Sequence, residues 1–264
     1  MPQKILLSIA GFDPSGGAGV LLDIKVFQSL GFRGMAVLTS ITAQNTELVA
    51  RVRGLSPRLI LDQYLALAED VAIAGIKVGM LGSGRNIAPL SRILDANPKI
   101  PIVVDPVLKA TSGARLMEKK AFGRLIREIG GRATILTPNL TEAVLISGGK
   151  IRTVEDMMFA AGRIYGLTGT PCFIKGGHFP GKPADLLYDG RDYVFFKRKK
   201  IFKSVHGTGC FLASAILGFL IQGKSLKSAV FLAGRLTHEA IAHAVRIGHG
   251  RHVISFPLRE DLSD

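Results

Sequence analysis

Ile5-Leu6-Leu7-Ser8-Ile9-Ala10 runs directly into Gly11-Phe12-Asp13-Pro14-Ser15-Gly16-Gly17-Ala18-Gly19, and a helix-spaced segment follows over residues 19–30. A short, nearly continuous apolar run is the mark of a strand covered on both faces. A glycine-rich turn between such a strand and a helix opens a βα unit, the building block of a parallel sheet. The same succession recurs down the chain. Strands are expected at 35–40, 74–78, 102–104, 134–136 and 172–174, with helices at 57–71, 85–95, 118–129, 139–147 and 154–165. Asp189-Gly190 between runs at 185–188 and 193–196 signals a hairpin, and two helices close the chain at 209–222 and 226–245. The expected fold class is α/β, a three-layer α/β/α sandwich around a mostly parallel central sheet. No Pro/Ser/Gly-rich linker or internal repeat interrupts residues 1–264, so a single domain is expected.

Composition narrows the function classes. Of 264 residues 47% are hydrophobic, enough for a packed core and against disorder. Cys172 and Cys210 are the only cysteines, which excludes a disulfide scaffold and a zinc site built from several thiolates. Lys and Arg outnumber Asp and Glu by 34 to 20, a net charge of +14. The basic residues are scattered, and the one dense run, Lys197-Arg198-Lys199-Lys200, follows a short strand without any nucleic-acid-binding motif. A field of that sign suits anionic small molecules better than nucleic acid. The most apolar stretch, 210–221, has 12 residues, short of the ~20 that span a bilayer. The apolar run after Lys4 is too short for a signal peptide and leads into Asp13 and glycines. A cytoplasmic protein with reduced thiols and no membrane partner is expected.

Ligands of such sheets sit beyond the carboxyl ends of the strands, so the residues after each strand carry the functional reading. Gly207-Thr208-Gly209-Cys210 opens an apolar helix, whose first-turn N–H groups welcome an anion. There the helix dipole is expected to lower the Cys210 pKa, unless Cys210 is an inert core thiol. Lys175 either neutralises a phosphate or is a surface lysine at a glycine turn. Asp105 before Pro106 either holds Mg²⁺, directly or through water, or ends its strand in a turn. Asn139 and Glu142 have capping-box spacing, and the cap could also present Glu142 to the metal. Gly11, Asp23 and Gln44 together offer close backbone approach, a carboxylate and an amide to a heteroaromatic ring. Separately, Asp23 is a polar helix position and Gln44 a loop residue.

Two motif matches are set aside. Gly218-Phe219-Leu220-Ile221-Gln222-Gly223-Lys224-Ser225 fits the P-loop pattern, yet its apolar residues continue a helix and leave no phosphate-wrapping loop. Gly223 reads instead as a C-cap and Ser225 as the next N-cap. His238 and His243 imitate a zinc-protease pair but stand five apart, which turns the second ring off the face of the first.

Read in order, these segments resemble the hydroxymethylpyrimidine kinase/phosphomethylpyrimidine kinase family of thiamine biosynthesis, within the ribokinase-like superfamily. The resemblance rests on residues 10–19, Thr42-Ala43-Gln44-Asn45-Thr46, Lys77-Val78-Gly79-Met80-Leu81 and Val104-Asp105-Pro106-Val107. Thr137-Pro138-Asn139-Leu140-Thr141-Glu142-Ala143, Lys175-Gly176-Gly177-His178 and His206-Gly207-Thr208-Gly209-Cys210 complete it. It implies transfer of the ATP γ-phosphate to 4-amino-5-hydroxymethyl-2-methylpyrimidine and then to its monophosphate. Gly11, Asp23, Gln44 and Met80 would contact the pyrimidine, with Val107 packed nearby. Asn139, Glu142 and Lys175 would serve ATP, Asp105 and Glu142 would serve Mg²⁺, and Gly207, Thr208 and Gly209 would form the anion hole. Cys210 stands where most ribokinase-like enzymes carry an Asp base. A homodimer is implied as well. Departures from the family pattern are Phe211 after Cys210, the loop 109–113, and Gly248-His249-Gly250-Arg251-His252 without a Gly-Pro sequel. A pyridoxal kinase of the same fold and a non-catalytic pyrimidine-binding protein are the competing functions.

Overall fold

The structure, a computed structural model, describes residues 3–109, 113, 116–177, 184–197, 199 and 201–256. His178, residues 110–112, and Arg198 and Lys200 of the basic run lie outside these.

The strands are β1 (Ile5–Phe12), β2 (Arg33–Gln44), β3 (Val49–Gly54), β4 (Ile73–Val78), β5 (Ile102–Val104), β6 (Ile135–Leu136), β7 (Cys172–Ile174), β8 (Ala184–Tyr188) and β9 (Tyr193–Lys197). They form one sheet in the order β3-β2-β1-β4-β5-β6-β7-β8-β9. Every pair from β2 to β7 is parallel, and β3, β8 and β9 add antiparallel edges. Helices α1 (Gly19–Ser29), α2 (Pro57–Ala68), α3 (Ile87–Asp95), α4 (Lys119–Ile129), α5 (Leu140–Ser147), α6 (Val154–Thr168), α7 (Thr208–Ile221) and α8 (Leu226–Ala242) cover both faces. A separate parallel pair joins β10 (Val205–His206) to β11 (His252–Val253).

The period of two along each strand divides the core between the faces. Leu7, Ile9, Ile102, Val104 and Leu136 pack with α2, α3, α4 and α6, while Leu6, Val103, Ile135 and Phe173 pack with α1, α7 and α8. This is the α/β sandwich expected. Helix α7 is buried continuously from Phe211 to Gly218, which explains its uniform hydrophobicity. No helix among the described residues is long and apolar enough to cross a membrane.

Two departures from the expected elements matter for the site. β2 does not stop at Ser40 but runs on to Gln44, because β3 pairs with its far end. Asn45 turns the corner by accepting from the N–H groups of Glu47 and Leu48, an Asx turn. Thr42 and Gln44 are therefore strand residues on one face, with Ile41 and Ala43 exposed on the other. The set-aside motifs hold no site. Gly223 is a left-handed helix terminus, Ser225 caps α8, and His238 and His243 bond to backbone carbonyls.

Candidate active site

Strand order reverses at β1, which has β2 on one side and β4 on the other. Chains leaving the sheet there diverge and open a crevice at the carboxyl ends. The crevice is a cavity of about 510 Å³, walled by the ends of β1, β2, β4, β5, β6 and β7 and closed by the start of α7. Gly11, Gln44, Met80 and Val107 line it, as do Asp105, Asn139, Glu142, Lys175, Gly207, Thr208, Gly209 and Cys210.

Lys175, one residue past β7, places its Nζ 2.7 Å from Asp105 Oδ1 past the end of β5. Thr137 Oγ1 donates to the same oxygen at 3.2 Å. Burial works against the Lys175 charge, yet Asp105 and Glu142 beside it raise its pKa, so the ammonium persists. Asn139 and Glu142 make the expected capping box. Glu142 does more than cap, because its other oxygen accepts from Leu108 N at 3.2 Å and ties the loop after β5 to α5. Desolvation pushes the Glu142 pKa up to about 7, opposed by Lys175 and reinforced by Asp105.

Gly207 takes φ +81° as the N-cap of α7, and a Cβ there would strike the Gly17 carbonyl and Leu22. The close approach seats the start of α7 on the β1–α1 turn. A Cβ on Gly209 would lie 3.3 Å from Lys175 Nζ and 3.5 Å from Asp105 Oδ2. The unpartnered N–H groups of the first turn of α7 thus stand next to the Lys175 ammonium, an arrangement suited to a phosphoryl group. The expected thiolate is not what Cys210 offers at rest. Burial raises its pKa, with the Lys77 charge and the Gly19 N–H acting the other way.

Residues 13–255 match the family model described as phosphomethylpyrimidine kinase. The chain belongs to the phosphomethylpyrimidine kinase family.

Among curated relatives, the Aquifex aeolicus hydroxymethylpyrimidine/phosphomethylpyrimidine kinase is 38% identical over 96% of this chain and 100% of its own length. The crystal structure of the Clostridium difficile phosphomethylpyrimidine kinase superposes with a TM-score of 0.81 at 36% identity, covering 90% of this chain and 100% of that one. The Staphylococcus aureus pyridoxal kinase in complex with pyridoxal gives 0.86 at 32% identity, over 96% and 93% of the two chains. That enzyme is also solved with ADP and with AMP-PCP.

Within this family framework one expected site residue is misplaced. Asp23 does not reach the cavity, and its side chain is fully buried. Both carboxylate oxygens bond to Lys77 Nζ at 2.8 and 3.0 Å, and Ser8 and Ser214 donate to them as well. A carboxylate so occupied has no face left for a ring. Its counter-charge Lys77 was not singled out in the sequence, although it opens a quoted motif. Burial disfavours the Lys77 charge, but Asp23 holds its pKa up, and Gly79 lets the backbone cross directly over the ammonium. His206 and Asp13 line the cavity as well. They pair at 2.9 Å, with Gln44 against the same imidazole nitrogen. The sequence signal was present, since each lies inside a quoted motif, but 193 residues separate them.

Proposed function

We propose that this kinase transfers the γ-phosphoryl group of ATP to the hydroxymethyl oxygen of 4-amino-5-hydroxymethyl-2-methylpyrimidine, and then phosphorylates the monophosphate. The observation that carries the proposal is the layout of one cavity. Gln44, Gly11 and Met80 line it at the β1/β2/β4 end, and Lys175 and Asp105 line it at the β5/β7 end. The start of α7 runs between them, with Gly207 against the β1–α1 turn and Gly209 beside Lys175. A ring held at the first end sends its substituent toward the second, where the anion-stabilising groups converge.

In this reaction the bond from the γ-phosphorus to the bridging oxygen breaks and a bond to the hydroxymethyl oxygen forms, releasing ADP. Charge spreads over the transferring oxygens, and Lys175 with the N–H groups of Thr208, Gly209 and Cys210 meets it. A Cys210 thiol with a raised pKa serves better to hold the substrate hydroxyl than to deprotonate it early. A loose transition state tolerates that, because the hydroxyl proton leaves late and passes to an oxygen of the transferred phosphoryl group. Asp105 and Glu142 fit Mg²⁺, which takes one or two carboxylates and otherwise waters and phosphate oxygens. Bound there, the ion would neutralise phosphate charge. A homodimer acting in the cytoplasm belongs to the same proposal.

A pyridoxal kinase activity is the second reading, favoured by the likeness to the Staphylococcus aureus enzyme. Coupled ATP-consumption assays with hydroxymethylpyrimidine, its monophosphate and pyridoxal side by side separate the two. The proposal requires kcat/KM for both pyrimidines to exceed that for pyridoxal, and the reverse order would replace it.

A further inference from the structure

His206 Nε2 lies 2.9 Å from Asp13 Oδ2 and 2.8 Å from the terminal amide of Gln44. A ring nitrogen either carries a proton and donates or offers a lone pair and accepts; it does not do both. Asp13 decides between these. Burial works against its charge, but His206 and Ser15 outweigh that and lower its pKa, so it is an anion and only accepts. A lone pair on Nε2 would face this anion at hydrogen-bond distance. Nε2 therefore carries the proton.

The Gln44 atom beside it must then be an acceptor. The structure sets Gln44 Nε2 against His206, and the bonding pattern requires the amide turned over, with Oε1 there instead. The far end of the amide gives the same answer independently. Thr42 Oγ1 stands 3.4 Å from the other Gln44 terminal atom and 3.0 Å from the carbonyl of Phe12. Its single proton goes to that carbonyl, so toward Gln44 it has only a lone pair, which an N–H group satisfies. With the amide turned, the one proton on His206 Nε2 is shared between Asp13 Oδ2 and Gln44 Oε1 as a three-centre bond, and each of these contacts joins a donor to an acceptor.

We infer that Asp13 and His206 are positioning residues for substrate specificity: they hold Gln44 Oε1 as an acceptor and leave its amide N–H to meet the ligand. Gln44 lines the cavity, so the ligand it selects must present a hydrogen-bond acceptor there, as the unprotonated ring nitrogen of a pyrimidine does. This deepens the proposed pyrimidine reading and rests on it for the substrate, though not for the polarity of the network.

Asp13→Asn tests it with little change of shape. Ser15 N and Oγ bond to Asp13 Oδ1 at 2.9 and 2.8 Å, and an Asn oxygen can keep both. The Asn nitrogen then faces His206 and donates, which drives the ring proton to Nδ1 and turns Gln44 back. In ¹⁵N-histidine spectra, His206 Nε2 should be protonated in the native protein and unprotonated in the variant. The KM for hydroxymethylpyrimidine should rise about tenfold or more, as expected when a buried polar group loses its match, with the KM for ATP within about twofold. The nitrogen spectrum needs no substrate, so it decides the network even if hydroxymethylpyrimidine is not phosphorylated and the proposed function fails. An unprotonated Nε2 in the native protein would overturn the inference. So would a tautomer switch that leaves the pyrimidine KM unchanged, or a loss shared equally by both substrates.

Discussion

Cys210 stands at the helix start expected of an activated thiol, but the water removed from around it raises its pKa. Iodoacetamide should therefore alkylate it slowly at neutral pH and faster as the pH rises toward its pKa. Rapid reaction at pH 7 would restore the thiolate. Cys210→Ala should lower kcat by about 10²-fold, the low end for a positioned acid–base group, and leave both KM values near native. Unchanged turnover would remove Cys210 from the reaction. Glu142 makes a prediction with a definite sign. Its pKa is raised from the ordinary 4.5 to about 7, so across that window the folded protein keeps a proton that the unfolded chain has lost. Stability from this group is therefore full below pH 4.5 and lost as the pH rises to 7. Glu142→Gln cannot titrate and keeps only one of the two acceptors that serve Asn139 and Leu108. It should melt below the native protein in acid, with the gap narrowing toward pH 7, and need at least about tenfold more Mg²⁺ for turnover. A gap constant with pH would contradict the raised pKa, and an unchanged Mg²⁺ requirement would leave Glu142 a cap alone.

Four elements meet at the buried Asp23–Lys77 pair: Ser8 from β1, Asp23 from α1, Lys77 from β4 and Ser214 from α7. Lys77→Met leaves a buried carboxylate without its counter-charge and should cost about 3–5 kcal/mol of stability, whereas Asp23→Leu with Lys77→Met should recover most of that loss. Chemical denaturation of the single and double variants measures both. Equal destabilisation by the two would mean that the pair itself is strongly stabilising. The sequence could not reveal this pairing, since its partners lie 54 residues apart and meet only once β1 and β4 are neighbours. The buried strands and the helices between them were legible, because a strand covered on both faces must be apolar throughout. β3 was not, because an edge strand with every residue exposed or half-buried carries no buried period. The glycine turn before α7 was legible for a local reason: Gly207 needs a left-handed backbone, and the apolar helix after it is unmistakable.

Taken whole, the molecule presents a cavity built by the topology of its sheet and carries a net charge of +14. A field of that sign draws anions, and salt screens it within about 10 Å at 0.1 M. Raising ionic strength should therefore increase the KM for the pyrimidine monophosphate more than that for the uncharged pyrimidine, in steady-state assays at fixed Mg²⁺. Equal salt dependence would deny the field any part in capture. The proposed transfer of phosphoryl groups from ATP to the pyrimidine in this cavity has a direct readout. It is tested most directly by following ³¹P resonances of a mixture of enzyme, ATP, Mg²⁺ and hydroxymethylpyrimidine. The ATP γ-resonance should decline while a pyrimidine monophosphate resonance grows, followed by the paired resonances of the pyrophosphate. Conversion of ATP to ADP and inorganic phosphate with no phosphorylated pyrimidine would contradict it.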